Sequence, residues 1–238
     1  MYHKPDMRKP RGCFPEKPDM APFRIFAGLT WIGGCAIIYR IRFLGERVAE
    51  TRKIRMNDDK QYISADEYLQ DNWRLAAAVR KSGWRPDFIL GLWRGGAPVA
   101  IAIHEFMKVT GWNVQHVPLK CGSYSGIGEN SGEVVFTHGE IVFSMFRKGD
   151  KVLVVDDVFD TGKTAAAVKR KMEAIGADMR MACVYWKPEK NITDLTPDYY
   201  VKDVGGDWIV FPHEIEGLSP EEVARKDKAL AELVASCG

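Results

Sequence analysis

The chain has 238 residues, with 34 Lys+Arg against 32 Asp+Glu for a net charge of +2, a length that fits one ordinary domain plus an extension. The charge is unevenly spread: residues 1–55 hold 12 basic and 5 acidic side chains, net +7, and the remaining 22 and 27 leave net −5. The basic excess lies outside the folded-looking part and gives no argument for nucleic-acid binding, while five cysteines without CxxC spacing or a matching His array argue against a zinc site or a disulfide framework.

Those cysteines, Cys13, Cys35, Cys121, Cys183 and Cys237, read as free thiols in a reducing cytoplasm. Residues 1–55 read as a basic N-terminal extension, with five prolines among charges up to Pro22 and then an apolar run, Phe26 to Tyr39, between Arg24 and Arg40. A membrane span needs about 20 apolar residues, so none is expected here. Weak membrane association through residues 24–42 stays open, as does an over-extended reading of the start site. The folded domain is expected over residues 56–238.

Ser64-Ala-Asp-Glu67 has the form of a capping box and predicts a helix to about Ser82, closed by Gly83. A short apolar strand, Asp87 to Gly91, leads into the sharp loop Leu92-Trp93-Arg94-Gly95-Gly96 and a helix from about Pro98 to Val109. Asn113 to Lys120 alternates as a strand, and residues 121–140, rich in Gly, Ser and charge, read as a long mobile excursion of the kind kept for function. Lys151 to Val155 is a buried strand, its helix runs to about Ile175, and Met179 to Tyr185 is another strand. Ser219-Pro220-Glu-Glu222 predicts a second capping box, with Pro at the first helical position, opening an amphipathic helix to about Ala235. This alternation implies an α/β fold with a mainly parallel central sheet flanked by helices, whose ligands bind beyond the carboxyl ends of the strands.

The richest stretch is Lys151-Val-Leu-Val-Val-Asp156-Asp157-Val-Phe-Asp160-Thr161-Gly162-Lys163-Thr164. Backbone N–H groups and hydroxyls from Thr161 to Thr164 stand where a helix begins, which suits a phosphate. The adjacent carboxylates repel phosphate and suit sugar hydroxyls or a divalent cation instead. Sugar and phosphate together suggest a phosphorylated ribose. Gly162-Lys163-Thr164 matches the end of a nucleotide-binding P-loop, but that motif needs glycine five residues before Gly162, where this chain has Asp157. Helix capping by Asp160 explains one acid, not three in five positions.

The stretch resembles the phosphoribosyl pyrophosphate (PRPP) motif of the type I phosphoribosyltransferases, in the form used by the 6-oxopurine branch. The resemblance implies PRPP binding by Asp156, Asp157, Thr161, Gly162, Lys163 and Thr164, with Asp156 and Asp157 holding ribose hydroxyls or Mg2+, directly or through water, and Asp160 as the catalytic proton carrier to purine N7. Trp93-Arg94-Gly95-Gly96 resembles the family's pyrophosphate loop, where the bond entering the basic residue is often cis, and a cis Trp93–Arg94 bond is predicted. Ser123-Tyr124 resembles the Ser-Tyr pair of the family's mobile catalytic hood.

Further on, Tyr185-Trp186-Lys187-Pro188 and Asp207-Trp208-Ile209-Val-Phe-Pro-His213-Glu214 resemble the tail of bacterial xanthine-guanine phosphoribosyltransferases. That likeness implies Lys187 donating to purine O6, Trp208 stacking on the ring, the Ile209 backbone at the Watson–Crick edge, and Glu214 near the base. The family usually has Trp-Asp where this chain has His213-Glu214, which leaves the choice among guanine, xanthine and hypoxanthine open. The expectation is a Mg2+-dependent cytoplasmic purine phosphoribosyltransferase that takes PRPP and a purine base, binds no nucleic acid, and forms a homo-oligomer, dimer or tetramer. Two alternatives remain: a PRPP-sensing regulator of the same fold, and a transferase for a non-purine base.

Overall fold

The computed structural model describes residues 60–123 and 134–237, so the expectations for residues 1–55 and for Tyr124 lie outside the described residues. The elements in chain order are β1 (Lys60–Tyr62), α1 (Ala65–Lys81), β2 (Phe88–Trp93), α2 (Gly96–Val109), β3 (Gln115–Ser123), β4 (Val134–Thr137), α3 (Gly139–Phe143), β5 (Lys151–Phe159), α4 (Lys163–Ile175), β6 (Asp178–Trp186), β7 (Tyr199–Asp203), β8 (Trp208–Val210), α5 (Pro220–Lys226) and α6 (Lys228–Ser236). A six-stranded sheet has the order β4-β3-β2-β5-β6-β7, parallel except for β4 against β3, and β1 pairs in parallel with β8 in a separate two-stranded sheet.

The central strand β5 carries an unbroken apolar run from Val152 to Val155 because both of its faces are covered there. Leu153 and Val155 belong to the core under α1 and α2, whereas Val152 and Val154 belong to the core under α3 and α4. All four are fully buried, and each contributes roughly 1.5–3 kcal/mol through burial. This two-sided core fixes where the carboxyl end of β5 emerges.

Three expectations are corrected. Residues 121–140 are not one excursion: β3 continues to Ser123, and Val134-Val-Phe-Thr137 pairs back on it, from Lys120 opposite Thr137 to Ser123 opposite Val134. That short β-branched and aromatic run outweighs the polar composition around it. At the start of α1 the Ser64 hydroxyl accepts from Glu67 N at 3.2 Å, but the Glu67 side chain bonds the Lys202 ammonium at 2.8 Å instead of closing the box. The single C-terminal helix breaks at Asp227, which is extended (φ −158°, ψ 117°) and caps α6 by accepting from Leu230 N. The box at Ser219 and Glu222 is complete.

Among the described residues no helix is long and apolar enough to cross a membrane. Cys121, Cys183 and Cys237 are free.

Candidate active site

Strand β5 does not end at Val155, as its apolar run suggests, but carries Asp156 and Asp157 inside the strand and stops at Phe159. Each carboxylate turns back on the chain: Asp157 N donates to Asp156 Oδ1 at 3.0 Å and Val158 N to Asp157 Oδ1 at 2.8 Å. Burial, and then the neighbouring Asp157 charge, push the Asp156 carboxyl well above its ordinary range. Burial also raises Asp157, to which the Glu214 charge adds. Among the described residues neither forms an ion pair with a basic side chain. Two crowded, partly desolvated carboxylates without a cation form a floor suited to hydroxyl donors or a hard cation.

The turn from β5 into α4 frames a hollow of about 80 Å3 lined by Asp156, Phe159, Asp160, Thr161, Gly162 and Thr164. Gly162 is left-handed (φ +79°), and a Cβ there would stand 2.3 Å from Thr193 Oγ1 and 2.7 Å from Asn191 Oδ1. Only glycine meets both demands. The neighbouring segment braces the turn, with Ile192 N donating to Thr161 O at 3.1 Å and Asn191 Oδ1 accepting from Thr193 N and Oγ1. The first amides of α4 lack intrahelical acceptors, so the hollow presents donors to an anion.

The loop after β2 lies against the acidic pair. The Trp93–Arg94 bond is cis, as expected. A Cβ on Gly95 would fall 1.9 Å from Asp157 Oδ2, and one on Gly96 would fall 2.3 Å from Val155 O, so both positions exclude any side chain. Trp93 and the Arg94 guanidinium are exposed, and Arg94 Nη1 donates to Glu216 Oε2.

Lys187 follows β6 and is buried, with Nζ 3.9 Å from Asp160 Oδ2. Burial lowers its pKa against the raising influence of Asp160. The other Asp160 oxygen, Oδ1, is buried with no partner. Trp208 is 66 % exposed and free to cover a flat ring, whereas the Ile209 side chain is buried and its residue sits opposite Gln61 in the β1–β8 ladder. The Glu214 carboxylate accepts from Phe211 N at 3.1 Å, and so is turned to its own main chain. Ser123 is the last residue of β3, opposite Val134 of β4.

Sequence reasoning missed α1 as a wall of this cleft. Tyr68 is buried, donates its hydroxyl to Gly95 O at 3.5 Å, and packs on Phe211 and His213 with centroids 5.1 and 5.9 Å away. Burial, and then the charges of Asp157 and Asp156, raise its pKa. Asp71 and Asn72 are fully buried, and Asp71 holds Arg74, Tyr185 and Lys202 at 2.6, 3.1 and 2.7 Å. The signal was there: both interrupt the apolar stripe of Tyr68, Leu75, Ala76 and Val79.

Comparison with known proteins agrees with this arrangement. Residues 60–218 match the family model of the phosphoribosyl transferase domain. A hypoxanthine-guanine phosphoribosyltransferase of Lactococcus lactis is 27% identical over 154 residues, 64% of this chain and 80% of that protein. A hypoxanthine/guanine phosphoribosyltransferase of Methanococcus vannielii is 36% identical over 72 residues, 29% of this chain and 39% of that protein. The crystal structure of a purine phosphoribosyltransferase from Pyrococcus horikoshii superposes with a TM-score of 0.54 at 30% identity, covering 68% of this chain and 98% of that one. Since the family model spans about two thirds of the sequence and its matched residues contain the acidic floor, the hollow and the glycine loop, the chain belongs to the phosphoribosyl transferase domain family.

Proposed function

We propose that the protein joins a 6-oxopurine, one of guanine, xanthine or hypoxanthine, to PRPP, giving a nucleoside 5′-monophosphate and pyrophosphate. The observation that carries this reading is the pairing of a buried lysine with an aspartate whose buried oxygen has no partner, at the rim of an anion hollow. Lys187 donates to a ring carbonyl at O6, which adenine lacks. Asp160 exchanges a proton with purine N7. The exposed Trp208 indole offers a flat stacking face.

The bond from ribose C1′ to pyrophosphate stretches first and its electron pair leaves with pyrophosphate. A purine nitrogen then bonds to the oxocarbenium-like C1′. The chain's own work is to hold the partners in line and to stabilise charge: the Thr161 to Thr164 turn fixes the 5′-phosphate, Asp156 and Asp157 hold the ribose hydroxyls, and Arg94 takes pyrophosphate oxygens. The Ser123-Tyr124 hood excludes water from the cationic ribose.

The acidic pair also fits Mg2+, which binds through one or two carboxylates and fills its remaining positions with water and substrate oxygens. Mg2+ held by Asp156 and Asp157 would neutralise the pyrophosphate as it departs. Free Cys121 and Cys183 fit a reducing cytoplasm, and Leu69 and Trp73, exposed one turn apart on α1, fit a homo-oligomer, dimer or tetramer.

The test is incubation of purified protein with PRPP, Mg2+ and each purine base. Nucleotide formed from at least one 6-oxopurine and none from adenine is expected; PRPP binding with no nucleotide from any base would overturn the proposal in favour of a sensor.

A further inference from the structure

The Arg94 guanidinium already has an anionic partner. Its Nη1 donates to Glu216 Oε2 at 2.5 Å, and both side chains are largely exposed, 69 % and 76 %. Glu216 stands in a turn with a firm base. Leu218 N bonds Ile215 O at 3.3 Å and Gly217 is left-handed (φ +81°). Behind it the Lys226 ammonium bonds the carbonyls of Phe211 and Glu214, and α5 starts at once with its complete capping box. The carboxylate is therefore delivered by a braced segment, while the guanidinium comes from the ligand loop.

We propose that Glu216 is a positioning residue that holds Arg94 in competition with pyrophosphate, so that it sets how tightly the pyrophosphate group of PRPP is bound and reclaims Arg94 as pyrophosphate leaves. This rests on the reading of Arg94 given above. A pyrophosphate oxygen pair matches the guanidinium fork as well as a carboxylate does and carries more charge, so the ligand displaces Glu216. The exposed pair is weak enough to be displaced and strong enough to tune affinity. The released Glu216 charge then repels the bound anion, which also lowers affinity.

The experiment is steady-state kinetics of Glu216→Gln, with inorganic pyrophosphate as product inhibitor. The KM for PRPP and the inhibition constant for pyrophosphate both fall, by about two- to fivefold, the range of an exposed ion pair. The KM for the purine does not move, which separates the effect from a general structural one. Raising NaCl from about 50 to about 500 mM shrinks the difference as the charges are screened. In an Arg94→Ala background, assayed at raised PRPP, the effect of Glu216→Gln shrinks to the smaller gain from removing the Glu216 repulsion, because the partner it competes for is gone. An active wild type with unchanged or weaker PRPP binding in Glu216→Gln overturns this inference and leaves the proposed function standing. A wild type that makes no nucleotide overturns both.

Discussion

The Lys187 ammonium stands 3.9 Å from the Asp160 carboxylate because β5 and β6 are parallel neighbours in a fixed register. Phe159 is opposite Trp186, so residues 160 and 187 are each one step beyond the last registered pair, and Lys187 N is tied to Phe159 O at 2.9 Å. A slip of one residue would turn one of the two side chains to the other face of the sheet.

Replacing Asp160 with Asn should lower kcat by about 10²- to 10⁴-fold, the usual worth of a positioned proton carrier, while the KM for PRPP stays near the wild-type value. Steady-state kinetics with PRPP varied at saturating purine gives both numbers. An equal loss in both would mean that Asp160 only shapes the turn.

Burial depresses the Lys187 pKa, and the ammonium is a much stronger donor to O6 than the neutral amine. Activity with a 6-oxopurine should therefore fall on the alkaline side at a pH below that of an ordinary lysine. Lys187→Arg, which keeps its charge to higher pH, should move that limb upward even if its kcat/KM is lower. A pH–rate profile in which the alkaline limb is identical in both proteins removes Lys187 from the base site.

Asp156 and Asp157 have raised pKa values in the fold. A carboxyl raised in this way binds its proton more tightly folded than unfolded. Without Mg2+, stability should fall as the pH rises from the ordinary aspartate value through the raised one, and be recovered on acidification. Asp157→Asn removes one charge of the crowded pair, so its Tm at pH 7 without Mg2+ should exceed that of the wild type while activity is lost. Thermal scans with and without Mg2+ check this, and a lower Tm in the variant under metal-free conditions contradicts it.

Tyr68→Phe removes only the hydroxyl that meets Gly95 O and keeps the ring against Phe211 and His213. The expected result is a KM for PRPP raised about two- to tenfold, the worth of one neutral hydrogen bond, with the purine KM and Tm close to wild type. A drop in Tm with an unchanged KM for PRPP would assign the Tyr68 hydroxyl to stability alone.

What could be read from the amino acids divides along physical lines. Features fixed by local sequence can be read there: the acidic strand end, the turn into α4, the glycine loop and the caps at Ser64 and Ser219 follow from nearest neighbours, while the cis Trp93–Arg94 bond follows from the family resemblance that the loop carries. Roles that depend on distant partners cannot. Glu67 leaves its own cap for Lys202, 135 residues away, and Glu216 reaches Arg94 across 122 residues. Strand β4 was hidden for a related reason: four residues have little pattern of their own, and their strand character comes from the β3 edge that they join.

The central claim is that the carboxyl end of β5 and the first turn of α4 grip a ribose and its 5′-phosphate as one unit. A crystal structure with a nucleoside 5′-monophosphate tests it most directly. Phosphate oxygens are expected on the backbone amides between Thr161 and Thr164, and ribose hydroxyls on Asp156 and Asp157. A ligand seated elsewhere, with that corner holding only solvent, would contradict it.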